Sequence, residues 1–164
     1  MYKTLIRTQI KRDIRALNRG DATFLLRRAA PDAELSFPGD NSWSRQFRAV
    51  SKGPGASVTH RGRAELDAFA QEFVARRLGL EVEDIVINGP PWRTRICVRA
   101  VDHAEDEHGR EVYVNRVVAF IETRWGKVHR WEDYLDTERV RAWDDRITAS
   151  ATTAPAGEPV RGRL

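Results

Sequence analysis

The sequence predicts an α+β domain, with helices packed on one face of an antiparallel sheet. Apolar residues recur at helical spacing over 6–17 and again over 66–78, and beyond Gly79 the recurrence changes to every second residue. The helices therefore come first and the strands follow in a run. The length, 164 residues, suits one domain able to bury its own core.

Residues 3–18 read as a helix, because Ile6, Ile10, Ile14 and Leu17 recur at spacings of three and four. Gly20 ends it. Asp21 is an N-cap for a short second helix over 22–30, stopped by Pro31. Residues 33–37 read as a strand, closed by Pro38-Gly39. The stretch 38–60 is rich in turn residues. It is either a long loop or short strands with turns at Asp40-Asn41 and Gly53–Gly55. A third helix spans 64–78, with Leu66, Phe69, Ala70, Phe73 and Leu78 as its core stripe. Four strands follow, at 82–89, 92–101, 111–123 and 127–136. A closing helix, capped by Thr137, runs over 137–147. From about residue 149 the composition is that of a disordered tail. The expected organisation is a domain over 1–148 and a flexible tail over 149–164.

Composition excludes several classes. The hydrophobic and charged fractions, 41% and 32%, are those of a soluble globular protein. No apolar run reaches the roughly 18 residues of a membrane span. The charged start "MYKTLIRTQIKRDI" lacks the apolar block of a secretory signal, so a cytoplasmic location without membrane association is expected. The single cysteine, Cys97, rules out an internal disulfide and argues against a cysteine metal site. In a strand pattern it reads as a buried structural thiol. The formal charge is +4, and arginine outnumbers lysine by 24 to 4. That bias reflects either codon usage or nucleic-acid binding. The 24 acidic residues are interspersed with the basic ones, and no basic stripe with aromatic interleaving occurs, so no nucleic acid is expected. No dinucleotide or phosphate-loop glycine motif is present, and no cofactor is expected.

The last strands raise a specific question. In "GKVHRWEDYLDTERV", alternation puts His129, Trp131, Asp133 and Leu135 on one face. That face is the apolar one, yet it holds a carboxylate. A turn at Arg124–Lys127 predicts Val118 opposite Asp133 and Phe120 opposite Trp131. The loop over 102–110 predicts Val114 near Val98 and Arg116 near Ile96. The inward face then collects Trp92, Thr94, Ile96 and Val98, then Val112, Val114, Arg116, Val118 and Phe120, then the four residues of the last strand. Arg93, Arg95, Arg99, Tyr113, Asn115, Arg130, Glu132, Tyr134 and Asp136 fall outward. Arg116 lies diagonal to Asp133, within reach of a long side chain. A polar site in an apolar concavity is the natural reading.

Three segments carry a family resemblance: "RGDATFLLRRAAPDAELSFPGDNSW", "HRGRAELDAF" and "REVYVNRVVAFIETRWGKVHRWEDYLDT". They resemble the SnoaL-like branch of the nuclear transport factor 2-like superfamily, over about residues 3–147. The resemblance implies a cone, in which a strongly curved mixed sheet wraps around the three N-terminal and central helices and leaves a deep pocket open at one end. It also implies a homodimer. Its enzymes, among them steroid isomerases, polyketide cyclases, scytalone dehydratases and limonene epoxide hydrolases, act on small apolar molecules; other members only bind or assemble. The ending "GKVHRWEDYLD" is similar to that of the limonene epoxide hydrolases, which places Asp133 on one of their two catalytic aspartates. Their Arg-x-Asp motif falls on Thr94 and Ile96, and their water-holding tyrosine and asparagine are missing from "AELSFPG". The complete epoxide-hydrolase machinery is therefore not expected. In the cyclase branch a single pocket acid suffices, and Asp133 would be that acid.

Each candidate has an ordinary reading beside the functional one. Asp133 is a general acid or base, or half of a buried ion pair. Burial would raise its pKa and Arg116 would lower it. Arg116 is an anchor for a substrate oxygen, or the counter-ion. His129 is a proton shuttle, or a rim residue satisfied by solvent. Trp43, with Asp40 beside it, is a lid aromatic or an ordinary loop residue. Trp131, Phe120, Val118, Val114, Thr94, Ile96 and Trp92 make the substrate wall or simply the core. The cluster Asp102, His103, Glu105, Asp106, Glu107 and His108 reads as a solvated hairpin tip rather than a metal site. Lys11, Arg12, Arg15 and Arg19 read as a solvated helix face. Two functions follow. One is a cofactor-independent enzyme doing proton chemistry (isomerisation, cyclisation, dehydration or epoxide opening) on a small apolar molecule. The other is a noncatalytic ligand-binding or dimerisation module of the same fold.

Overall fold

The computed structural model describes residues 1–50 and 57–153, without the side chains of 151–153. The expected turn at Gly53–Gly55 lies outside these. Helices α1 (Tyr2–Leu17) and α2 (Thr23–Arg28) lead into strand β1 (Ala29–Pro38). A 3₁₀ turn at Ser44–Gln46 precedes β2 (Ser57–Arg61) and helix α3 (Gly62–Ala75). Strands β3 (Leu78–Asn88), β4 (Thr94–Glu105), β5 (Glu111–Arg124) and β6 (Lys127–Leu135) follow, and α4 (Thr137–Thr153) is the last described element. Among the described residues no helix is long and apolar enough to cross a membrane.

One six-stranded sheet runs in the order β2-β1-β6-β5-β4-β3. Periodicity predicted it antiparallel throughout, but β1 joins β6 in parallel, so the sheet is mixed. The second helix is shorter than predicted. Ala29 and Ala30 already belong to β1, where Ala29 pairs with Val128. The closing helix is longer, running through residue 149 to Thr153.

The register of β5 differs from the sequence expectation on both sides, for two physical reasons. The β5–β6 hairpin closes on a two-residue turn in which Trp125 and Gly126 both have positive φ, 51° and 78°, as a type I′ turn requires. Up to that point the predicted pairing holds. Then Thr123 pairs with Val128 and Glu122 with Arg130, which leaves His129 as a bulge. The extra residue slides the pairing by one, so Ala119 faces Asp133 and Ile121 faces Trp131. On the other side, β4 continues through the charged segment to Glu105, and the turn is confined to Asp106–Arg110. Val98 therefore pairs with Ala119 and Ile96 with Ile121, not with Val114 and Arg116.

A slip of odd parity turns a strand inside out. Tyr113, Asn115, Val117, Ala119, Ile121 and Thr123 are the buried, inward residues of β5. Val112, Val114, Val118 and Phe120 are half-buried on the outer face, and Arg116 is exposed there. Cys97, expected to be buried, is likewise half-buried on the outer face of β4.

The helices close the concave side. α3 buries Leu66, Phe69 and Ala70, as its spacing predicts, but it ends at Ala75; Leu78 and Gly79, expected as the end of its stripe and its stop, already belong to β3. α4 buries Val140 and Trp143, and the Trp143 ring stacks on Tyr113 at 4.4 Å. Asp144 of α4 accepts hydrogen bonds from Ser42 Oγ (2.6 Å) and Arg76 Nη1 (3.0 Å), pinning the loop after β1 to both helices. The Arg76 guanidinium also lies over the rings of Trp43 and Trp143, at 4.5 and 5.3 Å.

Candidate active site

A cavity of about 480 Å³ lies between the concave sheet and the helices. Its sheet wall is Ile96, Val98 and Ala100 of β4 with Val117, Ala119 and Ile121 of β5. Its helical wall includes Ile6, Ile10, Ile14 and Leu17 of α1, the stripe whose spacing predicted that helix. The lining is overwhelmingly apolar, so the polar groups that reach it stand out.

Asp133 is one of them. Its Oδ1 accepts the Trp131 indole N–H at 2.6 Å, and both residues line the cavity. Among the described residues its Oδ2 has no hydrogen-bond partner. Asp133 is half-buried and lines the cavity. Burial pushes its carboxyl up to about 7, against the Trp131 hydrogen bond, and the charge of Asp102 adds to the rise.

Asp102 is the second carboxylate, and sequence reasoning missed its place. It was assigned to the hairpin tip, yet it is only 7% exposed and lines the cavity from β4. Its Oδ2 accepts a long hydrogen bond from the Tyr113 hydroxyl, 3.4 Å, and its buried Oδ1 has no partner among the described residues. Burial pushes its carboxyl up to about 6, opposed by its own backbone N–H and by Tyr113. Asn115 donates to the Tyr113 oxygen at 3.1 Å and to the Asp136 carbonyl at 2.9 Å, fixing the phenol. Burial, and then the Asp102 charge, raise the Tyr113 pKa, so the phenol stays a donor. Tyr113 and Asn115 had been expected on the outer face.

The other candidates separate cleanly. Ile96 and Trp43 line the cavity with Asp133 and Trp131. Trp43 is no lid; it is 3% exposed and packed on Phe69 at 5.2 Å. Arg116 is on the outer face and does not pair with Asp133, so the expected ion pair is absent. Val114, Val118 and Phe120 share that outer face. His129, at the bulge, faces Asp32 at 3.7 Å instead of the cavity. Thr94 is buried but does not line this cavity; it is bonded to the Pro90 carbonyl at 2.8 Å and to the Tyr2 hydroxyl. Trp92 is 57% exposed and packs on Trp125 at 5.9 Å. Asp40 pairs with Arg45 at the surface. In the acidic cluster, Asp106 accepts the backbone N–H groups of His108 and Arg110 and holds its carboxyl at about 2. Among the described residues no three His, Cys, Asp or Glu side chains gather as metal ligands.

Comparison with solved structures decides the fold. IdmH of Streptomyces antibioticus, a proposed polyketide cyclase, superposes with a TM-score of 0.60 at 19% identity, over 84% of this chain and 96% of its own. SalBIII, an epoxide hydrolase/cyclase-like enzyme of pyran ring formation in the polyether salinomycin, gives 0.59 at 14%, over 85% and 97%. An NTF2-like protein of unknown function from Burkholderia pseudomallei gives 0.59 at 20%, over 82% and 95%. The chain has the nuclear transport factor 2-like fold. Neither a scan against family models nor a search of curated proteins finds a match.

Within this NTF2-like cone the chemistry is defined by what faces the cavity. The carboxylates of Asp102 and Asp133 line it, and burial pushes both upward, to about 6 and about 7, into the range where a carboxyl can exchange a proton near neutral pH. Such a pair can remove a proton at one point of a bound molecule and deliver one at another.

Proposed function

We propose that this chain is a SnoaL-like, cofactor-independent enzyme performing acid/base chemistry on a small, largely apolar molecule. The observation that carries the reading is the Asp102–Asp133 pair inside an apolar cavity of about 480 Å³. Asp102 has the lower pKa and serves as the ionised base. Asp133 has the higher and serves as the acid, with Oδ2 open to the ligand. Isomerisation, cyclisation, dehydration and epoxide opening can each use such a base and acid together.

Asp102 also bears on the resemblance to limonene epoxide hydrolases. The second aspartate expected at Ile96 is supplied farther along the same inward face, at Asp102, with Ala100 where the Arg-x-Asp motif has arginine. Without a cation between them, the charge of Asp102 adds to the cost of ionising Asp133, which burial already raises. IdmH and SalBIII, with their cyclase and epoxide hydrolase/cyclase-like assignments, support a reaction in this group. A homodimer belongs to the same reading; a monomeric mass in light scattering would remove that part.

The test follows proton transfer directly. A bicyclic ketone, 2-decalone, is incubated with the protein in D₂O while its binding is measured in parallel. Protein-dependent deuterium incorporation beside the carbonyl, lost in Asp102→Asn and Asp133→Asn, supports the enzyme. Binding of 2-decalone without exchange, together with binding of cyclohexene oxide without ring opening, favours the noncatalytic ligand-binding module.

A further inference from the structure

We propose that Arg28, held by Asp13, which Gln9 braces in turn, forms a carboxylate-binding subsite in the same cavity, so that the preferred ligand is an elongated apolar acid. This deepens the reading of the cavity as a ligand pocket and rests on it.

The subsite is built on the inward stripe of α1. Gln9 and Asp13 lie one turn apart, among Ile6, Ile10 and Ile14, and both line the cavity. Asp13 is only 7% exposed. Both its oxygens are occupied: Oδ1 accepts Gln9 Nε2 at 2.7 Å and Oδ2 accepts Arg28 Nε at 2.6 Å. The Gln9 amide is fixed in turn, its Oε1 accepting from Arg12 Nη2 at 2.9 Å. With the Arg28 side chain 34% exposed, its pair with Asp13 is part-buried, and such a pair adds little stability compared with leucine on an apolar stripe. What the arrangement does achieve is to orient one guanidinium.

Arg28 lines the cavity, and its two terminal nitrogens have no partner among the described residues. With Nε on Asp13, they remain as a planar fork of the geometry that binds a carboxylate with two hydrogen bonds. Position adds a length requirement. Arg28 immediately precedes Ala29, which pairs with Val128, whereas Asp133 lies five residues farther along β6. At the strand rise that is roughly 15 Å. The negative Asp102–Asp133 end repels a carboxylate, and the Arg28 end attracts it. Attraction and repulsion together fix which way round an amphipathic ligand enters.

Decanoate and 1-decanol share a chain and differ in the head group, so they isolate the subsite. Their dissociation constants are measured at pH 8 by calorimetry on the wild-type chain, Arg28→Met, Arg28→Lys and Asp133→Asn. The proposal predicts that the wild-type chain binds decanoate at least tenfold more tightly than 1-decanol. Arg28→Met abolishes that preference while binding 1-decanol as before, and Arg28→Lys keeps part of it. Asp133→Asn keeps the preference whether or not it retains catalysis, which separates the subsite from the proposed reaction. Equal binding of the two ligands by the wild-type chain overturns the subsite alone, as does an undiminished preference in Arg28→Met. Failure of both ligands to bind overturns the pocket reading with it.

Discussion

Asp102 and Asp133 reach one cavity from β4 and β6, and the negative charge of Asp102 raises the pKa of Asp133. Burial alone would make both carboxyls weak acids. The charge of Asp102 raises Asp133 further, and the proposed roles of base for Asp102 and acid for Asp133 follow that direction.

The first consequence is a bell-shaped pH profile for any proton transfer in this cavity. Below pH 6 Asp102 takes up a proton and the base is lost. Above pH 7 Asp133 loses its proton and the acid is lost. The rate of 2-decalone exchange is expected to peak between the two and to fall on both sides, the limbs reporting the pair rather than either residue.

The second concerns stability. The folded pKa of Asp133 is raised above its unfolded value, so the folded state binds more protons between about pH 4 and pH 7. Its contribution is favourable at low pH and is lost as pH rises through 7. Asp133→Asn removes the buried charge, and it is expected to stabilise the fold at pH 8 by on the order of 2 kcal/mol. The gain should shrink toward zero near pH 4 in urea titrations at each pH. His60 acts in the opposite sense. Its Nε2–H bonds the Trp43 carbonyl at 3.0 Å, and burial lowers its pKa. The unfolded chain therefore takes up that proton first, and stability is lost on acidification below about pH 6.5.

A third prediction tests the two donors. Trp131 N–H and Tyr113 O–H each stabilise the ionised form of one acid. Trp131→Phe is expected to raise the pKa of Asp133, and Tyr113→Phe that of Asp102. In the pH profile, the first is expected to move the alkaline limb upward more than the acid limb, and the second the acid limb more than the alkaline, each shift being shared by the pair.

A fourth prediction separates the observed register from the one expected from alternation. Arg116→Ala changes an exposed residue on the outer face. It should alter stability by less than about 0.5 kcal/mol and leave both carboxyl pKa values in place. A fall in the Asp133 pKa on restoring Arg116 would return the arginine to the cavity.

Much of the architecture was legible because periodicity reports burial directly. The α1 stripe, the α3 stripe and the inward residues Trp131, Asp133 and Leu135 could be read from spacing alone. What escaped was parity. Nothing in "GKVHRWEDYLD" marks His129 as a bulge, and one inserted residue exchanges Arg116 and Phe120 for Asn115 and Ala119. Asp102 escaped because its neighbours are charged. The alternation Ile96, Val98, Ala100, Asp102, Ala104 does continue through the segment, and following it would have placed the second acid inside. Arg28 and Asp13 were not legible, since their meeting joins two helices whose relative placement is set by packing.

The central claim is that two coupled carboxyls titrate near neutrality inside the cone. The most direct test is a ¹³C NMR titration of the aspartate carboxyls in the wild-type chain and in Asp102→Asn. The account predicts apparent pKa values of about 6 and about 7 in the wild-type chain, and a lower value for Asp133 once Asp102 is neutral. Titration of Asp133 in the ordinary range near 4, or a value unmoved by Asp102→Asn, would contradict it.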